Sequence, residues 1–165
     1  MKFSKTELAW QGGIVDGEGT ITIQKQIRKN RPSPAFRACV EVTNTDLRII
    51  LPFKYVWGGE YYQRPDKRKE KDWKDSYTWH CLESKMAIFL KKMLPYLKAK
   101  QDQAKLILEF IKYKKSFKRK SLGRGYGSAP LGQEEINFRQ NLYDKIRILN
   151  SKGRFSRKQK GGGAI

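Results

Sequence analysis

Period-two alternation of apolar and polar residues marks two stretches near the start of the chain. In "GTITIQKQIR" (19–28), Ile21, Ile23 and Ile27 share one face, while Thr20, Thr22, Gln24, Gln26 and Arg28 share the other. In "AFRACVEV" (35–42), Phe36, Ala38, Val40 and Val42 point one way and Arg37, Cys39 and Glu41 the opposite way. Both patterns predict half-buried strands. "EYYQR" (60–64) and "SYTWHC" (76–81) predict two more, with Tyr61, Tyr77 and Trp79 inward and Tyr62, Arg64, Ser76, Thr78 and His80 outward.

Helical signals surround these strands. Ser4 and Glu7 have capping-box spacing and open a helix expected to end near Val15, with a turn over 16–19. "TNTDLRIIL" predicts a helix from about Thr45 that Pro52 should kink or end. "ESKMAIFLKKML" is stopped by Pro95, and the helix in "KAKQDQAKLILEFIKYKKSF" buries Leu106, Ile107, Phe110 and Ile111. "QEEINFRQNLYDKIRILN" closes the series. The order α-β-β-α-β-β-α-α-α predicts an α+β fold, with helices on one face of a four-stranded antiparallel sheet. One domain is expected over 1–150, and a basic, glycine-ended tail over 151–165 is expected to be disordered.

Charge narrows the partners. Thirty-six Lys and Arg stand against 16 Asp and Glu, a net of +20, and an excess of one sign implies a polyanion. The sequence shows no lipidation motif, long apolar run or signal peptide, so nucleic acid is favoured over a membrane and an intracellular location is expected. Cys39 and Cys81 are too few for a disulfide framework or zinc site and are expected in the core. His80 is the only histidine, which excludes nuclease plans built on a histidine cluster.

The outward sheet residues suit a β-ribbon in a major groove, where Gln and Arg pair with base edges. The expected readers are Thr22, Gln24, Gln26, Arg28, Arg37, Glu41, Tyr62, Arg64, Ser76, Thr78 and His80. Lysines in the charged segment 64–75, including Lys67, Lys69 and Lys71, suit phosphates better than bases. Gly12 and Gly13 inside the first helix each forgo roughly 1 kcal/mol relative to alanine, which implies close contacts that only glycine permits.

"GGIVDGEG" (12–19), on a helix that feeds a strand, resembles the signature of the LAGLIDADG homing endonucleases, and "VTNTDLR" (42–48) and "LPYLKAKQDQAKL" (94–106) resemble single-motif members. The likeness covers about residues 6–112. It implies that Gly12 and Gly13 meet a second copy across a two-fold axis in a homodimer, braced by Asp16. It further implies a divalent cation, magnesium, on Glu18 and the Gly17 carbonyl, with Asn44 positioning water and Arg48 and Lys100 facing the scissile phosphate. The implied activity is metal-dependent hydrolysis of double-stranded DNA at a long, partly palindromic site, leaving short 3′ overhangs. The alternative is a non-cleaving binding protein on the same scaffold, a maturase or regulator, with RNA as a possible partner.

Overall fold

The computed structural model describes residues 4–29, 31–65, 74–117 and 130–158, with side chains as far as Ser151. The elements follow the expected order: α1 (Lys5–Glu18), β1 (Gly19–Gln26), β2 (Ala35–Asn44), α2 (Leu47–Trp57), β3 (Glu60–Arg64) and β4 (Ser76–His80), then α3 (Glu83–Met93), a 3₁₀ turn (Leu94–Tyr96), α4 (Gln101–Ser116) and α5 (Gln133–Lys158). The strands form one sheet in the order β1-β2-β4-β3. Register is antiparallel, with Glu41 and Glu60 both opposite His80 and with Thr43 and Tyr62 both opposite Thr78. The fold class is α+β, as the pattern predicts.

Two compact units divide the chain: Met1–Ile21 with Cys39–Leu108, and Thr22–Ala38 with Glu109–Ile165. In the first, the inward residues of β2 and β4 pack with an aromatic cluster. Phe53 lies 5.2 Å from Trp79, and Trp57 meets Phe89 edge-on at 5.1 Å. Gln11 is fully buried among them. Its amide is satisfied on both sides, accepting from Trp57 Nε1 at 2.7 Å and donating to Glu7 at 3.0 Å, as a buried polar group requires. Gly58 and Gly59, with φ of 72° and 89°, make the turn into β3, a conformation open to few other residues.

Several helix ends differ from expectation. Ser4 accepts from the Glu7 amide, but α1 continues through 16–18 instead of turning there. Carbonyls at its end find partners in the Gly19 amide and the Lys100 ammonium, so the last turn is held. α2 runs past Pro52 to Trp57, because Ile50, Phe53 and Trp57 bury one face and outweigh the hydrogen bond that proline cannot donate. α4 begins at Gln101, since the amides of residues 98–100 are bonded to Asp16. Its buried stripe is Gln103, Ala104, Ile107 and Phe110, with Leu106 and Ile111 only half-buried.

In the second unit, α5 meets the outer parts of β1 and β2. Phe36 packs edge-on against Tyr143, and Lys25, which interrupts the apolar pattern of β1, bonds Gln140 at 2.6 Å. Arg139 and Glu135, both nearly inaccessible, pair within α5, and Arg139 also lies over the Phe110 ring. The backbone of α5 extends to Lys158, so part of the expected disordered tail is helical. Residues 159–165 lie outside the described residues. Among the described residues, no helix is long and apolar enough to cross a membrane.

Candidate active site and nucleic-acid interface

The end of α1 gathers charged groups from distant parts of the sequence. Asp16 accepts from the backbone amides of Lys98 at 2.5 Å, Ala99 at 3.1 Å and Lys100 at 3.0 Å. Asp16 therefore holds the segment leading into α4, a role within one chain. That segment delivers the Lys100 ammonium to the carbonyls of Val15, at 3.1 Å, and Asp16. A cation at a helix C-terminus complements the partial negative charge there. Burial pushes the Lys100 ammonium below its ordinary pKa, while the nearby Asp16 and Glu18 carboxylates act the other way. Two of its three donors are used, leaving one for a phosphate or water. Glu18 and Gly17 are both exposed, and a methyl group at Gly17 would meet nothing within 4 Å.

A second group sits at the turn from β2 into α2. Asn44 Oδ1 accepts from the Asp46 amide at 2.8 Å, and Asp46 caps α2 through the Arg48 amide at 2.9 Å. The N-cap is thus Asp46, one residue past Thr45. Its carboxylate also clasps the Arg48 guanidinium, with Nη2 at 2.6 Å and Nε at 3.0 and 3.1 Å. Hydrogen bonding to Arg48 lowers the Asp46 carboxyl to about 2 and raises the guanidinium. Arg48 itself is 89% exposed, so its charge faces solvent with one carboxylate already on it. Sequence reasoning missed Asp46. The signal was a carboxylate two residues before a basic side chain at a helix start.

The two adjacent glycines of α1, Gly12 and Gly13, separate. A methyl at Gly12 would come within 2.6 Å of Tyr96 Cβ, so its closeness is explained inside the chain. Gly13 is exposed and has open space around it. Trp10, Gly13, Ile14 and Gly17 share one helix face by spacing, and Trp10 is 40% exposed on it.

Of the expected base readers, Gln24, Gln26, Arg28, Arg37 and Arg64 are exposed and Thr22, Glu41, Tyr62, Ser76 and His80 half-buried. Gln24, Gln26, Arg28, Arg31, Ala35 and Arg37 line a groove in the second unit. Thr78 departs from expectation. It is only 1% exposed, and it shares a 2.9 Å hydrogen bond with Thr43. Flanked by β2 and β3, it has no surface to offer a base. Cys81 is buried as expected, with its thiol pushed up to about 12 by burial. Cys39 is instead half-buried, bonded to Glu41 at 3.0 Å. Lys67, Lys69 and Lys71 lie outside the described residues.

Among solved structures, the chain is similar to the homing endonuclease I-CvuI in complex with the I-CreI target, with 2 mM Mg and the DNA not cleaved. The TM-score is 0.65 at 25% identity, over 88% of this chain and 82% of that one. I-CvuI with its target Sro1.3 and 2 mM Ca gives 0.66 at 24% identity, over 87% and 82%. The homing endonuclease I-TnaI shares the fold at 14% identity, with a TM-score of 0.55 over 92% and 99%. No family model matches the sequence, and no curated protein does.

Proposed function

We propose that this chain, which has the fold of the LAGLIDADG homing endonucleases, is a site-specific, metal-dependent DNA endonuclease acting as a homodimer. The observation that carries this reading is the convergence at the end of α1. There an exposed Glu18 stands beside Lys100, which is anchored to the last turn by its ammonium and by the Asp16 clasp on its backbone. Glu18 and the Gly17 carbonyl are hard oxygen donors of the kind magnesium takes. A divalent cation bound there would supply charge stabilisation and an activated water for phosphodiester hydrolysis.

The chain's own groups supply the rest. Lys100 presents its remaining N–H to a phosphate oxygen. Arg48 is available to a second oxygen once Asp46 shares it, and Asn44, its oxygen committed to the turn, has only its amide N–H groups for a water. The exposed face of Trp10, Gly13 and Gly17 supports closure against a second copy, which would give two such sites for two strands. Cleavage then yields a double-strand break with short 3′ overhangs at a long, partly palindromic target.

Glu18→Gln tests the reading. It keeps side-chain size but removes the charge a cation needs. Affinity for the target duplex, measured in calcium, should change no more than a few-fold. Cleavage in magnesium should fall by orders of magnitude. Near-wild-type cutting would falsify this assignment of Glu18.

A further inference from the structure

Three side chains of different chemistry meet on the outward face of the sheet. Cys39 and Glu41 lie one pleat apart on β2, and His80 stands opposite Glu41 on β4. Glu41 Oε1 accepts from Cys39 Sγ at 3.0 Å and lies 3.0 Å from His80 Nδ1. All three donor atoms lie within 4.8 Å of one another. We propose that Cys39, Glu41 and His80 form a binding site for a borderline-soft divalent cation, with Zn²⁺ as its natural class of ligand.

Thiolate, carboxylate and imidazole are a donor set that zinc accepts in tetrahedral sites, with the fourth position left to water or another ligand. Zn–S and Zn–N bonds of about 2.3 and 2.0 Å need Glu41 Oε1 slightly farther from Cys39 Sγ and His80 Nδ1 than the present 3.0 Å to each. Side-chain rotation of Glu41 can supply that change. The thiol proton leaves to solvent on binding, and the imidazole proton resides on Nε2. A partner for that proton is in place: Nε2 lies 2.7 Å from Tyr62 OH, and the two rings stack at 4.9 Å. Arg64 Nη2 in turn donates to the Tyr62 hydroxyl at 2.6 Å. Such outer partners fix the tautomer and orientation of a metal-bound histidine.

Hard cations are excluded by the same chemistry. Magnesium and calcium take oxygen ligands and gain little from sulfur or imidazole. The sheet site is therefore distinct in kind from the oxygen donors at the end of α1. Charge changes favourably too: the free cluster carries one negative charge on Glu41, and the zinc form, with thiolate and carboxylate neutralised, carries none. If the outward face reads DNA, as its alternation predicts, zinc removes a repulsive charge from it.

The test needs no DNA and no cleavage. The full chain is titrated with Co²⁺ as a spectroscopic stand-in, with Mg²⁺ in excess. A sulfur-to-cobalt charge-transfer band and visible ligand-field bands should saturate at one ion per chain, the limit set by a single histidine. Zn²⁺ should displace the cobalt. Cys39→Ser should abolish the charge-transfer band, and Tyr62→Phe should weaken affinity by about 10-fold to 100-fold. His80→Gln should lose tetrahedral ligand-field intensity. No charge-transfer band in the wild type overturns the proposal, whatever the variants do. So does a band that survives Cys39→Ser, since only Cys81 could then supply the sulfur.

Discussion

At the residue scale, the same carboxylate that organises a helix start also controls a catalytic candidate. Asp46 caps α2 and clasps Arg48, which pulls its pKa from 3.8 to about 2. A carboxyl whose folded pKa is depressed contributes stability above its unfolded value and loses it as pH falls through the folded one. The wild type should therefore melt higher than Asp46→Asn at neutral pH, and the gap should close between pH 3.8 and about 2. Because the pair is exposed, the gap should be small. Parallel melting curves across that window check it, and a gap that persists at the acid end would contradict the pairing. At neutral pH the same substitution frees Arg48. Binding of a DNA duplex should then tighten rather than weaken.

Among the elements, α1 carries two adjacent glycines, Gly12 and Gly13, with opposite surroundings. Gly12→Ala drives a methyl into Tyr96 Cβ, an overpacking that should destabilise the fold by about 1–3 kcal/mol. Gly13→Leu meets nothing within the chain, so the monomer should remain folded while sedimentation shows the proposed dimer lost. An intact dimer in Gly13→Leu would place the interface elsewhere. The signature text marked both glycines but could not separate them, because Tyr96 is distant from Gly12 in sequence and no local pattern records their approach. The strands were legible because alternation is local, and all four lie where the pattern predicts. Helix ends were not. Whether α1 stops at Val15 or Glu18 depends on Lys100 reaching its carbonyls, and α4 starts late because Asp16 takes the amides before it. Similarly, His80 and Thr78 both point outward by alternation, but only the strand order, with β4 between β2 and β3, brings Thr43 onto Thr78 and Glu41 onto His80. The residues proposed for cleavage were named by the signature. The Cys39–Glu41–His80 cluster needed the register of two strands far apart in sequence.

For the whole molecule, the net charge of +20 makes salt the most direct probe of how DNA is held. Neutralising a phosphate releases condensed counterions, so the logarithm of affinity should fall with the logarithm of salt by about 0.9 per phosphate neutralised. Two sets of cations should respond differently. Lys67, Lys69 and Lys71, from the strongly charged segment between β3 and β4, suit phosphate binding that carries no sequence information. Replacing all three with alanine should reduce the slope by up to about 3 and leave sequence preference unchanged. Arg28 and Arg37 are exposed and line a groove with Gln24 and Gln26, a combination able to pair with base edges. Their replacement should relax preference at particular base pairs, at about 1–3 kcal/mol for each bidentate pairing with a base that is removed, with a smaller change in slope. Binding to the target and to a scrambled duplex, each measured over a series of salt concentrations, separates the two. If the lysine triple variant changes the preferred sequence instead of the slope, that segment enters the groove, and the division of labour proposed for the two sets is reversed.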